Sequence, residues 1–304
     1  MHRSRGLVVR AQSHSFIVRA PEGEFPAFLP KKLRFRNSGL VDPVAVGDEV
    51  VLDLSAAQAA IEEILPRRNL LARQALGRVG KRQILAANID VAVVVLAAAD
   101  PAWKPATLDR YLVLASFNSV PAVVCMNKID LDPELRGSGE LAVYPRLGMP
   151  VVFASALSGE GVEGIRELLA GKTAVLLGPS GAGKSSLINR LVPMAGLRVG
   201  ELSIQTGKGS HTTTWVEMLD LPGGGRLVDS PGLRVLDLTG LDPAELVNHF
   251  PELRELAPRC RFPDCRHLSE PDCAVQEGLA EGSVAPHRYQ SYRRIHHSLE
   301  AGEG

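Results

Sequence analysis

The run Gly178-Pro179-Ser180-Gly181-Ala182-Gly183-Lys184-Ser185 constrains this chain more than any other feature, because it is useful in only one local setting. An apolar segment, Ala174–Leu177, comes before it, and the helical pattern Lys184–Leu191 comes after it. A strand that enters a glycine-rich turn and leaves as a helix can aim backbone N–H groups at phosphate oxygens. The helix N-terminus adds its partial positive charge. In that setting Lys184 bridges the outer phosphates, which makes it a candidate catalytic residue, and Ser185 places its hydroxyl on Mg²⁺.

The flanking sequence predicts the sheet that such a turn needs. The apolar runs Val91–Ala97, Ala122–Met126 and Val151–Phe153 alternate with helical patterns, of which Thr107–Phe117 and Val162–Leu169 are the clearest. Two more strands are expected near Trp215–Leu219 and Arg226–Val228. Fully apolar strands alternating with helices imply an α/β domain with a mostly parallel sheet, here over residues 84–237.

Residues 1–66 read differently. Short alternating segments (Gly6–Ala11, Ser15–Ala20, Phe25–Leu29, Val50–Leu54) are separated by turn formers, and a five-stranded OB barrel fits them. Residues 67–83 form a basic linker. Residues 238–304 are expected to be mainly helical, with Pro243–Phe250 and Arg288–His297 flanking a Cys/His-rich loop.

The net charge is zero, so bulk charge points to no partner, but its distribution does. Residues 1–36 carry eight Lys/Arg against Glu22 and Glu24, and Lys31, Lys32 and Arg34 are candidate RNA contacts. The longest apolar run, Val91–Ala99, is far short of a bilayer span, and a cytoplasmic monomer without membrane attachment is expected.

A phosphate cradle does not choose its base, whereas Asn127-Lys128-Ile129-Asp130 does. It ends an apolar strand, where open α/β sheets bind ligands. Asp130 is placed to accept from the N1–H and N2 amine of guanine, and adenine would leave that carboxylate unpaired. This argues against a kinase or ATPase. Ser155-Ala156, after the next strand, offers a backbone N–H to the guanine O6.

Asp229-Ser230-Pro231-Gly232 supplies D-x-x-G, with Asp229 on a water of the Mg²⁺ shell and Gly232 on the γ-phosphate. One of Thr213 or Thr214 completes the Mg²⁺ shell. The guanine motif here precedes the phosphate loop, the reverse of ordinary GTPases. The cyclic order survives, which is the signature of a circular permutation, with Gly161–Lys172 joining the old ends.

Cys260, Cys265, His267 and Cys273 form C-x4-C-x-H-x5-C, a ligand set for one structural Zn²⁺. Cys125 lies in an apolar strand and reads as core. His249, His287, His296 and His297 read as surface residues.

The rotated order, the small N-terminal barrel and the Cys/His segment resemble the ribosome small-subunit-dependent GTPases (the RsgA or YjeQ family). Asn88-Ile89-Asp90, Leu108-Asp109-Arg110-Tyr111-Leu112, Asn127–Asp130, Gly178–Ser186, His211-Thr212-Thr213-Thr214 and Asp229–Gly232 look like that family's motifs, which adds Ser186 to the nucleotide site. The resemblance implies GTP and GDP as ligands, the small ribosomal subunit and its rRNA as partners, and late subunit maturation as the role.

In many GTPases a Gln after D-x-x-G orients the attacking water, but Leu233 stands here. Slow intrinsic hydrolysis is therefore expected. His211 is the candidate substitute, by imidazole chemistry and by its likeness to the family's catalytic histidine. The competing reading is a GTP-dependent protein-binding switch with no ribosomal role.

Overall fold

The structure is a computed structural model that describes residues 2–12, 15–36, 40–56, 58–74, 82–193, 216–229 and 238–302. In chain order its first elements are β1 (Arg3–Gln12), β2 (Ser15–Ala20), β3 (Gly23–Phe28), α1 (Lys31–Arg36), β4 (Glu49–Asp53) and β5 (Ala59–Ile64). An antiparallel pair follows, β6 (Leu70–Gln74) with β7 (Arg82–Ala87). The chain continues through β8 (Val91–Ala97), α2 (Pro105–Phe117), β9 (Ala122–Asn127), α3 (Val143–Arg146) and β10 (Val151–Phe153). Next come α4 (Val162–Leu169), β11 (Thr173–Leu177), α5 (Lys184–Leu191), β12 (Val216–Asp220) and β13 (Arg226–Asp229). The last helices are α6 (Pro251–Leu256), α7 (Ala274–Glu281) and α8 (Pro286–Glu300).

Two compact units result. One comprises Met1–Ala92, Val162–Leu176 and Lys184–Leu236, and the other Val93–Gly161, Leu177–Gly183 and Asp237–Gly304.

In the first unit β1 pairs with β2 and β4, β2 with β3, β3 with β5 in parallel, and β5 with β4. The circuit closes on itself as an OB barrel. Alternation sends Phe16 and Val18 of β2 and Val50 and Leu52 of β4 into one core with Val8 and Ile61. The segment Ala59-Ala60-Ile61-Glu62-Glu63-Ile64 has the composition of a helix, yet it forms β5. Barrel closure needs a fifth strand, and burying Ala59 and Ile61 outweighs local propensity.

The Asn88-Ile89-Asp90 motif is a polar latch in the same unit. Asn88, at φ 56, donates to Gly47 O (2.9 Å) and accepts from Arg68 N (2.9 Å). Asp90 accepts from Thr173 N (2.8 Å) at the start of β11 and pairs with Arg68 (2.7 Å). Beyond it β11 lies parallel to β13, and β13 antiparallel to β12. Helices α4 and α5 bury Val162, Ile165 and Leu169, and Leu187, Ile188 and Leu191.

In the second unit β10, β9 and β8 lie side by side, β10 parallel to β9, and every residue of β8 is buried. Pro105 pre-sets the first turn of α2, and Asn118 closes its end by donating to Leu114 O (2.8 Å). The expected helix Pro243–Phe250 is a 3₁₀ helix, Pro243–His249, and the one expected over Arg288–His297 runs the whole of α8.

Helix α8 is polar, so its inward face carries charge. Arg288 is 1% exposed and bonds Asp109 of α2 (2.5 Å) and, through two nitrogens, Glu252 of α6 (2.7 and 3.2 Å). Tyr144 OH adds a bond to Asp109 (2.9 Å), and the Phe250 ring lies under the guanidinium at 4.6 Å. Among the described residues no helix is long and apolar enough to cross a membrane.

Candidate nucleotide and metal sites

Asn127, the last residue of β9, is 1% exposed, and its amide joins three loops. Its Nδ2 donates to Ala182 O in the phosphate loop (2.9 Å), and its Oδ1 accepts from Ala156 N (3.0 Å). One side chain thus ties the guanine motif to the phosphate loop and to Ser155-Ala156. Asparagine suits the place because it offers a donor and an acceptor on one planar group.

The loop geometry explains the glycines. Gly178 has φ 137, and a Cβ there would stand 2.0 Å from Val95 O within β8. Gly183 has φ 84, and its Cβ would overlap the Asn127 amide at 2.3 Å. Ala182 is fully buried, while Lys184, Ser185 and Ser186 open α5 half-buried.

Lys128 sits in the left-handed region at φ 59 and donates from Nζ to Asp100 O. The turn carries Ile129 inward, its N–H bonded to Ala154 O (3.1 Å), and leaves Asp130 exposed. The buried Ser155 takes a bond from Ser158 N on its hydroxyl (3.1 Å), which shapes the loop that presents Ala156. Asp229 ends β13 half-buried.

Asp100 and Pro101, which support Lys128 and border Gly181, were not expected from the sequence. No motif marks them, since their part is played by a backbone carbonyl and a ring. The residues His211, Thr213, Thr214 and Gly232 lie outside the described residues. Lys31 and Lys32 are exposed on α1, which also carries Arg34.

The Cys/His segment converges. The ligand atoms of Cys260, Cys265, His267 and Cys273 lie within 4.8 Å of one another, with His267 Nδ1 3.5 Å from the sulfurs of both Cys260 and Cys273. Burial pushes the Cys265 thiol up to about 12, and three sulfurs gathered with one imidazole make a candidate metal site. Hydrogen bonds brace the surrounding loop. Tyr289 OH donates to His267 O (2.8 Å) and Tyr292 OH to Arg266 O (2.9 Å). Glu270 accepts from the backbone of Arg266, Leu268 and Ser269. Burial raises the Glu270 pKa, but those N–H groups bring it down to about 2.

Two expectations about side chains need sorting. Cys125 is buried in β9 as expected, and burial pushes its thiol up to about 12. His296 is not a surface residue. It is 0% exposed, because the face of α8 that carries Arg288 and Tyr292 carries it inward too.

A phosphate loop clamped to a guanine motif that precedes it in the chain, together with a closed barrel at the N-terminus, defines a circularly permuted P-loop GTPase. The chain belongs to the RsgA GTPase family, whose pattern matches residues 64–239. A relative from Gemmatimonas aurantiaca, named small ribosomal subunit biogenesis GTPase RsgA, is 40% identical over 300 residues, 97% of each chain. The crystal structure of YjeQ from Thermotoga maritima is similar over 98% of this chain and 99% of its own, with TM-score 0.80 and 33% identity. YloQ, described as a circularly permuted GTPase, is similar over 99% of this chain and 96% of its own, with TM-score 0.76 and 25% identity.

Proposed function

We propose that this protein binds the small ribosomal subunit and assists its late maturation, hydrolysing GTP to GDP and phosphate when the particle stimulates it. The observation that carries the nucleotide part of the reading is the Asn127 amide, bonded at once to Ala182 and Ala156, because it fixes the guanine motif and the phosphate loop in register. The ribosomal part rests on the relative named small ribosomal subunit biogenesis GTPase RsgA.

In this reading Asp130 accepts from the guanine edge, the Ser155-Ala156 turn borders O6 with its Ala156 N–H held by Asn127 Oδ1 (3.0 Å), and Lys128 covers the base. Residues 178–183 cradle the phosphates by their backbone, with Lys184 on the outer phosphates. Ser185, Asp229 and one of Thr213 or Thr214 hold Mg²⁺ directly or through water, Ser186 supports the α-phosphate side, and Gly232 meets the γ-phosphate. Mg²⁺ neutralises charge on the phosphates when bound. His211 orients the attacking water in place of the missing glutamine. Three thiolates and an imidazole hold one structural Zn²⁺ at Cys260, Cys265, His267 and Cys273, with no open position for catalysis.

Residues 1–66 serve as the RNA-binding barrel, with Lys31, Lys32 and Arg34 on phosphate. Residues 67–83 act as linker, 84–237 as the GTPase domain and 238–304 as the zinc domain. The protein works in the cytoplasm as a monomer.

One experiment tests this: GTP turnover with and without purified small subunits, for wild type, Asp130→Asn and His211→Ala. Wild type is expected to be slow alone and strongly stimulated by the particle. Asp130→Asn should lose GTP and prefer xanthosine triphosphate, whose 2-oxo group accepts from the new amide. His211→Ala should bind GTP normally but respond weakly to the particle. Equal wild-type rates with and without subunits would remove the ribosomal role and leave a protein-binding switch.

A further inference from the structure

The last turn of α8 carries ligating groups that neither the nucleotide site nor the Cys/His site uses. Six residues of this helix are buried: Arg288, Tyr289, Ser291, Tyr292, Ile295 and His296. The other polar groups among them have partners. Arg288 has Asp109 and Glu252, Tyr289 has His267 O, Tyr292 has Arg266 O, and Ser291 has His287 O. His296 is the exception. Its ring is 0% exposed, yet neither nitrogen has a hydrogen-bond partner among the described residues. A buried imidazole left in that state is costly, and it calls for an explanation.

The neighbouring groups supply one. His296 Nδ1 stands 3.6 Å from Glu300 Oε2, and His297 Nδ1 stands 3.8 Å from the same oxygen. Those gaps are too long for hydrogen bonds. They lie close to the roughly 3.3 Å that separates two ligands on a tetrahedral ion with bonds of about 2.0–2.1 Å. The ligand atoms of His296, His297 and Glu300 all fall within 4.8 Å of one another.

Helical spacing explains the convergence, since Glu300 is i+4 from His296 and i+3 from His297. The other carboxylate oxygen, Oε1, faces Arg266 Nη1 at 3.4 Å, which leaves Oε2 toward the imidazoles. His296 is held against the Tyr292 ring, with centroids 6.1 Å apart. His297 keeps 60% of its side chain in solvent and has room to turn the last few tenths of an ångström inward.

We propose that His296 Nδ1, His297 Nδ1 and Glu300 Oε2 bind a second divalent ion of the Zn²⁺, Ni²⁺ and Co²⁺ class, with water completing its shell. Two imidazoles and one carboxylate suit that class, whereas Mg²⁺ and Ca²⁺ take oxygen ligands. The absence of thiolate from the set and the positive charge of Arg266 nearby make this site weaker than the Cys/His one. Simple ion pairing of Glu300 with the exposed His297 would account for two of the three groups but would leave Nδ1 of the buried His296 ring, the nitrogen that faces Glu300, without a partner.

The test is equilibrium dialysis of the full chain against Zn²⁺, with bound metal counted by elemental analysis. It compares wild type with His297→Ala and Glu300→Gln, both changes at exposed side chains. Each variant should bind one equivalent fewer than wild type at the same free Zn²⁺, with at least about tenfold weaker affinity for that equivalent. In Co²⁺-loaded protein the lost equivalent should carry no thiolate charge-transfer band, and the His296 and His297 ring resonances should shift only in wild type. Equal uptake by all three proteins, or loss of a thiolate-ligated ion in the variants, would overturn the proposal.

Discussion

The N-terminal barrel and the C-terminal helices solve the same problem with opposite materials. The barrel turns Val8, Phe16, Val18, Val50, Leu52 and Ile61 inward and keeps most of its arginines outside, where Arg3 pairs with Glu62 and Arg19 with Glu24. Among the described residues of this region one carboxylate, Asp48, is fully buried, and it pairs with Arg67 (2.6 Å), which also donates to Pro43 O. The C-terminal segment instead carries Arg288, Asp109 and Glu252 into its interior. The lesson lies in how each region tolerates change. An apolar core loses stability in proportion to the atoms removed, whereas a buried ionic cluster fails when any one partner is lost.

The sharpest way to break this comparison is Arg288→Met. Burial opposes the charge on Arg288, but Asp109 and Glu252 hold its pKa up. Removing the guanidinium strands two buried carboxylates. We expect a loss of about 3–5 kcal/mol in chemical denaturation, recovered in large part when Asp109→Leu and Glu252→Leu are added. If Arg288→Met proves neutral, the two regions do not differ in kind.

Leu52→Ala in the barrel should cost about 3 kcal/mol by cavity formation, with nucleotide affinity unchanged, as fluorescence titration of a labelled guanine nucleotide would report.

Smaller still is the pH dependence carried by Glu270. Its carboxyl lies below the ordinary 4.5, at about 2, so its contribution is complete above the unfolded value and is lost as pH falls from about 4.5 toward 2. The melting temperatures of wild type and Glu270→Gln should therefore differ at neutral pH and converge in acid. Any metal at the neighbouring Cys/His cluster would leave both proteins alike in acid, so the difference between them is the quantity to read.

The smallest effect belongs to Arg3→Ala. Its pair with Glu62 is exposed, and we expect less than about 1 kcal/mol, falling with added salt in the same denaturation assay.

Much of the candidate site was legible because its parts are local. A glycine-rich turn between a strand and a helix, an Asn-Lys-x-Asp run at a strand end and a Cys/His cluster each carry their chemistry within a few residues. Barrel closure was harder to read, since Ala59–Ile64 looks like a helix until its neighbours demand a strand. Asp109 was visible only as part of a run, Leu108–Leu112, and nothing nearby points to Arg288, 179 positions away. His296 read as a surface residue because a polar helix gives no sign of which face turns inward.

By itself, then, the sequence determined the order of the motifs, the permutation that order implies, and the ligand types at each site, since all of these are written in short stretches of chain. Only the tertiary structure decided which amide clamps the three loops together, which charges lie buried, and which buried imidazole has neither nitrogen hydrogen-bonded among the described residues. Those outcomes depend on desolvation and on contacts between residues far apart in the chain, and neither has a local signature.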